Sequence, residues 1–246
     1  MSMDMEALAA LPGVWCGGEA ATALAVIATG FTELDDCLLN NSGNNSGNSS
    51  GNSSGNSGGS GGWPVGALTE ICTQVPGSGE VSLVIPALAA LSDGSIDDTG
   101  WIAWISPPHS LYPPALAAGG VRLSRLLMVQ AADTTDALWG MEQALRSGSC
   151  QAVLGWVDKT SERSLRRLQL AAESARAWAV LYRPAHCLAQ ASPAALRLRL
   201  TAVAEGLEIE ILKNRGGRPG RCRIPQEALR ADHGRPRRAE PQIDSK

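Results

Sequence analysis

The sequence predicts an α/β protein: a mostly parallel twisted sheet flanked by helices, with a C-terminal antiparallel hairpin. Three observations point there. Compact apolar runs of strand length recur along the chain, bounded by glycine, proline or polar residues. Segments of helical period lie between them. Near the end, "ALRLRLTAVAEGLEIEILKNR" alternates with period two on both sides of Glu205-Gly206. Alternating strands and helices specify a sheet covered on both faces, and the final alternation specifies an antiparallel addition.

The elements follow in order. Residues 1–28 form an N-terminal extension in which "MEALAAL" suits a short helix, and "TGFTELDDCLLN" then opens the main domain, residues 29–220. The domain is interrupted at 40–62 by "NNSGNNSGNSSGNSSGNSGGSGG", which carries no apolar side chain and cannot offset the entropy of ordering. It reads as a disordered insertion with an end-to-end distance of about 25–30 Å, lengthening a surface turn. "ALTEIC" (67–72) is a strand, and a helix follows at about 80–92. Pro86 is expected to kink that helix or delay its start. "WIAWI" (101–105) and "RLLMVQ" (125–130) are strands on either side of a short helix, "PALAAGG", closed by glycine. "DTTDALWGMEQALRSG" is a helix with Asp133 or Thr134 as cap, Leu138, Met141 and Leu145 on one face, and Trp139 read as core rather than interface, the two readings open to it. "QAVLGWV" (151–157) is a buried strand, 160–177 a helix with Arg163, Arg166, Arg167 and Arg176 outward, and "WAVLYRP" (178–184) a strand ended by proline. Residues 221–246 read as a basic flexible tail.

Composition narrows the function. The chain has 246 residues, 44% of them hydrophobic, enough for a sizeable core. No apolar run reaches the roughly 18 residues of a membrane span, and the N-terminus carries no early Lys or Arg of a secretory signal. Six cysteines without a CxxC pair suggest reduced thiols in the cytoplasm, with no metal site. The net charge of −3 is uneven: Lys213 to Arg238 holds nine Lys/Arg against Glu227 and Asp232. A basic end on an acidic body favours a polyanion or an acidic partner.

One loop, "TQVPGSGEVSL" (73–83), sits between strand and helix like a phosphate-binding loop. Backbone N–H groups of Gly77, Ser78 and Gly79 suit a phosphate cradle. Glu80 stands where the loop's lysine belongs, and Val81 replaces its Ser/Thr. Near 4 Å, even at an effective dielectric of ~20, that charge reversal disfavours phosphate by several kcal/mol.

The order of features resembles the RecA-type ATPase core, and the terminal "LEIEILKNRGGRP" is similar to its late strand. "TGFTELDDCL", "GGWPVGALTEI", "WIAWISPPHSLYPPALAAGGV" and "LRRLQLAAESARAWAVLYRP" resemble more closely the ImuA family, RecA-related accessory proteins of mutagenic DNA repair. That resemblance implies a RecA-like core. Two further catalytic positions then fail. Pro108, with His109 beside it, occupies the place of the water-activating Glu, and Trp156 the place of the Walker-B Asp, with Asp158 two residues late and suited to start the next helix. Phosphoryl transfer needs metal, phosphate clamp and water positioning together. The resemblance therefore implies a non-catalytic adaptor without an ATP cofactor, acting in SOS-induced translesion synthesis with ImuB, an error-prone DnaE-type polymerase and RecA. Its place would be the cytoplasm, on the nucleoid during DNA damage. Lys213, Arg215, Arg218, Arg221, Arg223, Arg235, Arg237 and Arg238 are the candidate contacts to a partner or, weakly and non-specifically, to single-stranded DNA. The alternatives are a SulA-type SOS cell-division inhibitor and a weak DNA- or nucleotide-binding RecA paralogue.

Overall fold

Short runs rich in branched and aromatic side chains form most of the strands, and eight of the described strands pair into a single sheet. The structure, a computed structural model, describes residues 24–39, 61–93, 100–215 and 217–230. A two-stranded ribbon pairs β1 (Val26–Ile27) with β2 (Trp63–Pro64). The main sheet contains β3 (Ala67–Thr73), β4 (Trp101–Ile105), β5 (Leu126–Val129), β6 (Cys150–Trp156), β7 (Trp178–Pro184), β8 (Leu196–Val203), β9 (Gly206–Asn214) and β10 (Gly220–Pro225). Their spatial order is β10-β9-β8-β3-β7-β6-β4-β5. From β8 to β5 the neighbours are parallel, and β8-β9-β10 run antiparallel.

The sheet is thus mixed, and its antiparallel end has three strands where the sequence predicts a hairpin. Residues 220–225 form β10 and 226–230 form a short helix, so the flexible tail does not begin at 221. Cys222 is half-buried and Ile224 fully buried on one side of β10, while Arg221 and Arg223 alternate outward. The charge count hides this strand. The extension before residue 24, most of the insertion (40–60) and the tail from 231, with Arg235, Arg237 and Arg238, lie outside the described residues.

The helices are α1 (Thr32–Leu38), α2 (Ile85–Ser92), α3 (Pro113–Ala118), α4 (Thr134–Arg146), α5 (Glu162–Ala175) and α6 (Gln226–Arg230). Pro86 sits in the first turn of α2, where it lacks no bonded N–H, and the helix starts late as expected. Asp133 caps α4 by accepting from the N–H groups of Thr135 and Asp136. Ser161 caps α5, so Asp158 is free of that role.

Strand alternation divides the core in two. Ile102, Trp104, Leu154, Val180 and Tyr182 pack on one face with Leu83, Val84 and Leu88. Leu68, Ala103, Ile105, Val153, Ala179 and Leu181 pack on the other with Met141, Leu145, Leu165 and Leu168 of α4 and α5. Gly155 is required by that packing: a Cβ there would lie 2.2 Å from the Met141 sulfur. Gln169 of α5 joins the layers by accepting the Leu68 N–H at 3.0 Å. The chain has seven Trp against two Tyr and one Phe, and the tryptophans have a structural use. Trp63 stacks on Trp178 at 5.2 Å, and Trp104 and Tyr182 stack on the two sides of Trp156 at 5.4 and 4.6 Å.

Candidate functional site

In parallel sheets, ligand crevices form at the carboxyl ends of the strands. Here a cavity of about 300 Å³ opens at the ends of β3, β4, β6 and β7. Its walls include Thr73, Glu80, Ser106, Trp156, Asp158 and Tyr182. The loop 74–84 forms one side, with Gly77 (φ +83°) and Gly79 (φ +109°) in backbone conformations that favour glycine.

The loop is closed on itself. The Thr73 hydroxyl donates to the Val75 carbonyl, and lies 3.0 Å from the Ser78 hydroxyl. The Gly77 N–H donates to Glu80 Oε1 at 2.6 Å, and Glu80 is 3% exposed. The carboxylate turns into the loop and takes the cradle's own N–H. The Tyr182 hydroxyl donates to the Glu80 carbonyl at 3.4 Å. Burial raises the Tyr182 pKa well above its ordinary value, and the charge on Glu80 adds to the effect. Val81 is half-buried against the core. Trp156 fills the aromatic ladder, while Pro108 and His109 lie exposed beyond β4. Trp156 and Tyr182 give the crevice an aromatic side, and the cation in its lining is committed, since Arg183 donates to Glu70 at 2.9 Å and to Gln190 at 3.0 Å.

Behind the loop lies a buried charge cluster that a linear reading misses. Glu70, fully buried on β3, receives Arg183 at 2.9 Å and Arg197 at 2.6 Å. The register puts Glu70 opposite Arg197 on β8. Cys72, two residues on, has its pKa raised to about 12, first by burial and then by Glu70.

The basic residues do not form one patch. Arg221 on β10 reaches Glu210 on β9 at 2.8 Å, and Arg223 reaches Glu205 at 2.8 Å. Glu210 has its pKa lowered chiefly by the Arg221 hydrogen bond. Arg215 pairs with Glu173 at 3.2 Å, and half-buried Lys213 donates to the Ser192 carbonyl. The Lys213 pKa is lowered by burial and then by Arg215. Arg218 is exposed. Cross-strand pairing thus neutralises much of the positive charge assigned to partner or DNA contact. Arg167 on α5 is bound to Glu142 of α4, leaving Arg163 and Arg166 outward. Trp139, read as core, is 61% exposed beside that pair.

At the rim of the crevice, Asp158 after β6 meets His186 and Cys187 in the 3₁₀ turn after β7 (Ala185–Ala189). Sequence reasoning assigned no metal ligands. The pairing of β6 with β7 carries the missed signal, because it makes neighbours of residues 28 positions apart.

Comparison with known proteins places the similarity in this parallel half. Residues 66–179 match the family model "Cell division inhibitor SulA". The cell division inhibitor SulA of Edwardsiella piscicida is 32% identical over 104 residues, 42% of this chain and 60% of that protein. That of Serratia proteamaculans is 27% identical over 119 residues, 48% of this chain and 68% of its own. The chain thus spans about 60% of the length of the first of these relatives. Among solved structures, SulA from Pseudomonas aeruginosa matches with a TM-score of 0.40 and 29% identity, covering 47% of this chain and 97% of that one.

These findings overturn the resemblance to the ImuA family and the RecA-like core inferred from it. The two readings share "GALTEI" and "WIAWISPPHSLYPPALAAGGV", which lie within the matched span. The basic segment from Lys213 onward lies outside that span. ImuB, a DnaE-type polymerase, RecA and DNA fall as partners for the same reason, and translesion synthesis as a role. The matched proteins are named as inhibitors and not as enzymes. Among the described residues no helix is long and apolar enough to cross a membrane.

Proposed function

We propose that this chain is a SulA-type inhibitor of cell division, made in the SOS response and acting in the cytoplasm by binding a protein of the division machinery. The observation that carries this is the match of residues 66–179 to the SulA family model. The geometry is compatible with a binding protein. The Gly77 N–H is occupied by the protein's own carboxylate, and the crevice lining includes the stacked rings of Trp156 and Tyr182. The reading invokes no nucleotide cofactor and no nucleoid association.

The test is inducible expression in a rod-shaped bacterium, with cell length measured by microscopy and protein amount by immunoblot. Filaments with evenly segregated nucleoids are expected, since division stops while replication continues. Normal cell length at ample soluble protein would overturn the proposal.

A further inference from the structure

Three side chains of different ligand chemistry converge at the ends of β6 and β7. A carboxylate oxygen of Asp158, a ring nitrogen of His186 and the sulfur of Cys187 all lie within 4.8 Å of one another. His186 Nε2 is 3.4 Å from Asp158 Oδ1. Cys187 is buried, at 1% exposure, and its thiol donates to the Asp158 main-chain carbonyl at 3.2 Å. Asp158 and His186 are more than half exposed, which leaves an entry path and freedom to adjust.

We propose that Asp158, His186 and Cys187 form a binding site for a divalent transition-metal ion of the zinc class. The ligand set is the argument. One thiolate, one imidazole and one carboxylate match the borderline-soft preference of Zn²⁺ and not the all-oxygen preference of Mg²⁺ or Ca²⁺. Tetrahedral bonds of about 2.0–2.3 Å hold ligand atoms roughly 3.4–3.7 Å apart. The His186–Asp158 pair already has that spacing, and closing the rest takes a movement of about 1 Å by two exposed side chains. Loss of the thiol proton on binding frees Cys187 from its contact with the Asp158 carbonyl. With three protein ligands, a fourth position stays open for water at the crevice rim, because Asp158 is also a crevice wall. The ion would tie the segment after β6 to the turn after β7. The site is independent of the cell-division reading.

The probe is Co²⁺, titrated into the reduced full-length protein and followed by visible and near-ultraviolet absorption. One equivalent is expected to give a tetrahedral ligand-field spectrum with a sulfur-to-cobalt charge-transfer band, both lost on adding Zn²⁺. Cys187→Ser should abolish the charge-transfer band. Asp158→Ala and His186→Ala, at exposed positions, should weaken binding by at least tenfold with unchanged circular dichroism. A wild-type protein without the band would leave only a surface Asp–His contact beside a buried thiol and would overturn the proposal. So would a band that persists in Cys187→Ser, since the metal would then sit on another cysteine.

Discussion

A single carboxylate organises the centre of the sheet. Glu70 is fully buried and receives two guanidinium groups, Arg183 from β7 and Arg197 from β8. Such clusters are costly to desolvate and still more costly to break, because the remaining charges stay buried without a counter-ion. Glu70→Gln keeps the shape and removes the charge that two arginines share. It is expected to lower stability by about 3–5 kcal/mol, seen as a urea midpoint shifted down without a change of slope. An unchanged midpoint would show that water screens the pair. Glu80 uses the same chemistry locally. Its carboxylate accepts from the Gly77 N–H and ties the loop to itself.

The elements that could be read from sequence are those whose apolar runs are uninterrupted. β4 and β7 coincide with "WIAWI" and "WAVLYRP", and α4 follows its Asp133 cap. β10 was illegible because Arg221 and Arg223 dominate its charge while Cys222 and Ile224 do the packing. The Asp158–His186–Cys187 group was illegible for a different reason: it exists only once β6 and β7 are adjacent. Trp139 is not core but exposed, since Ala137, Met141 and Leu145 fill the buried stripe of α4. Its exposure has a use under the proposed function. A large exposed aromatic within the matched span has the properties of an interface anchor. Trp139→Ala is expected to leave the melting temperature unchanged, because the site is exposed and alanine favours helix. If the anchor is used, the loss of about 2 kcal/mol weakens partner binding roughly 30-fold and shortens the filaments. Full filamentation at equal expression would remove α4 from the interface.

At the scale of the whole molecule, the sequence on both sides of the Asn/Ser/Gly insertion belongs to one folded body. β1, before it, pairs with β2, after it, and Trp63 of β2 stacks on Trp178 of β7. α1 lays Leu34 and Leu38 into the core that also holds Ile224 of β10. Gly61 lies against the Asp35 backbone, with its Cβ position 1.7 Å from the Asp35 carbonyl oxygen. Asp35 is in the last helical turn before Leu39, so a few residues suffice to join the two sides. The insertion closes a loop, and closing a long loop costs more entropy than closing a short one, by about 0.6 kcal/mol per doubling of length. Replacing residues 41–60 by a Gly-Ser turn of about four residues is therefore expected to stabilise the protein by about 1 kcal/mol. For a chain of this size that raises the melting temperature by roughly 2–4 °C. A fall of similar size would mean that the insertion makes contacts with the folded body that outweigh its closure entropy.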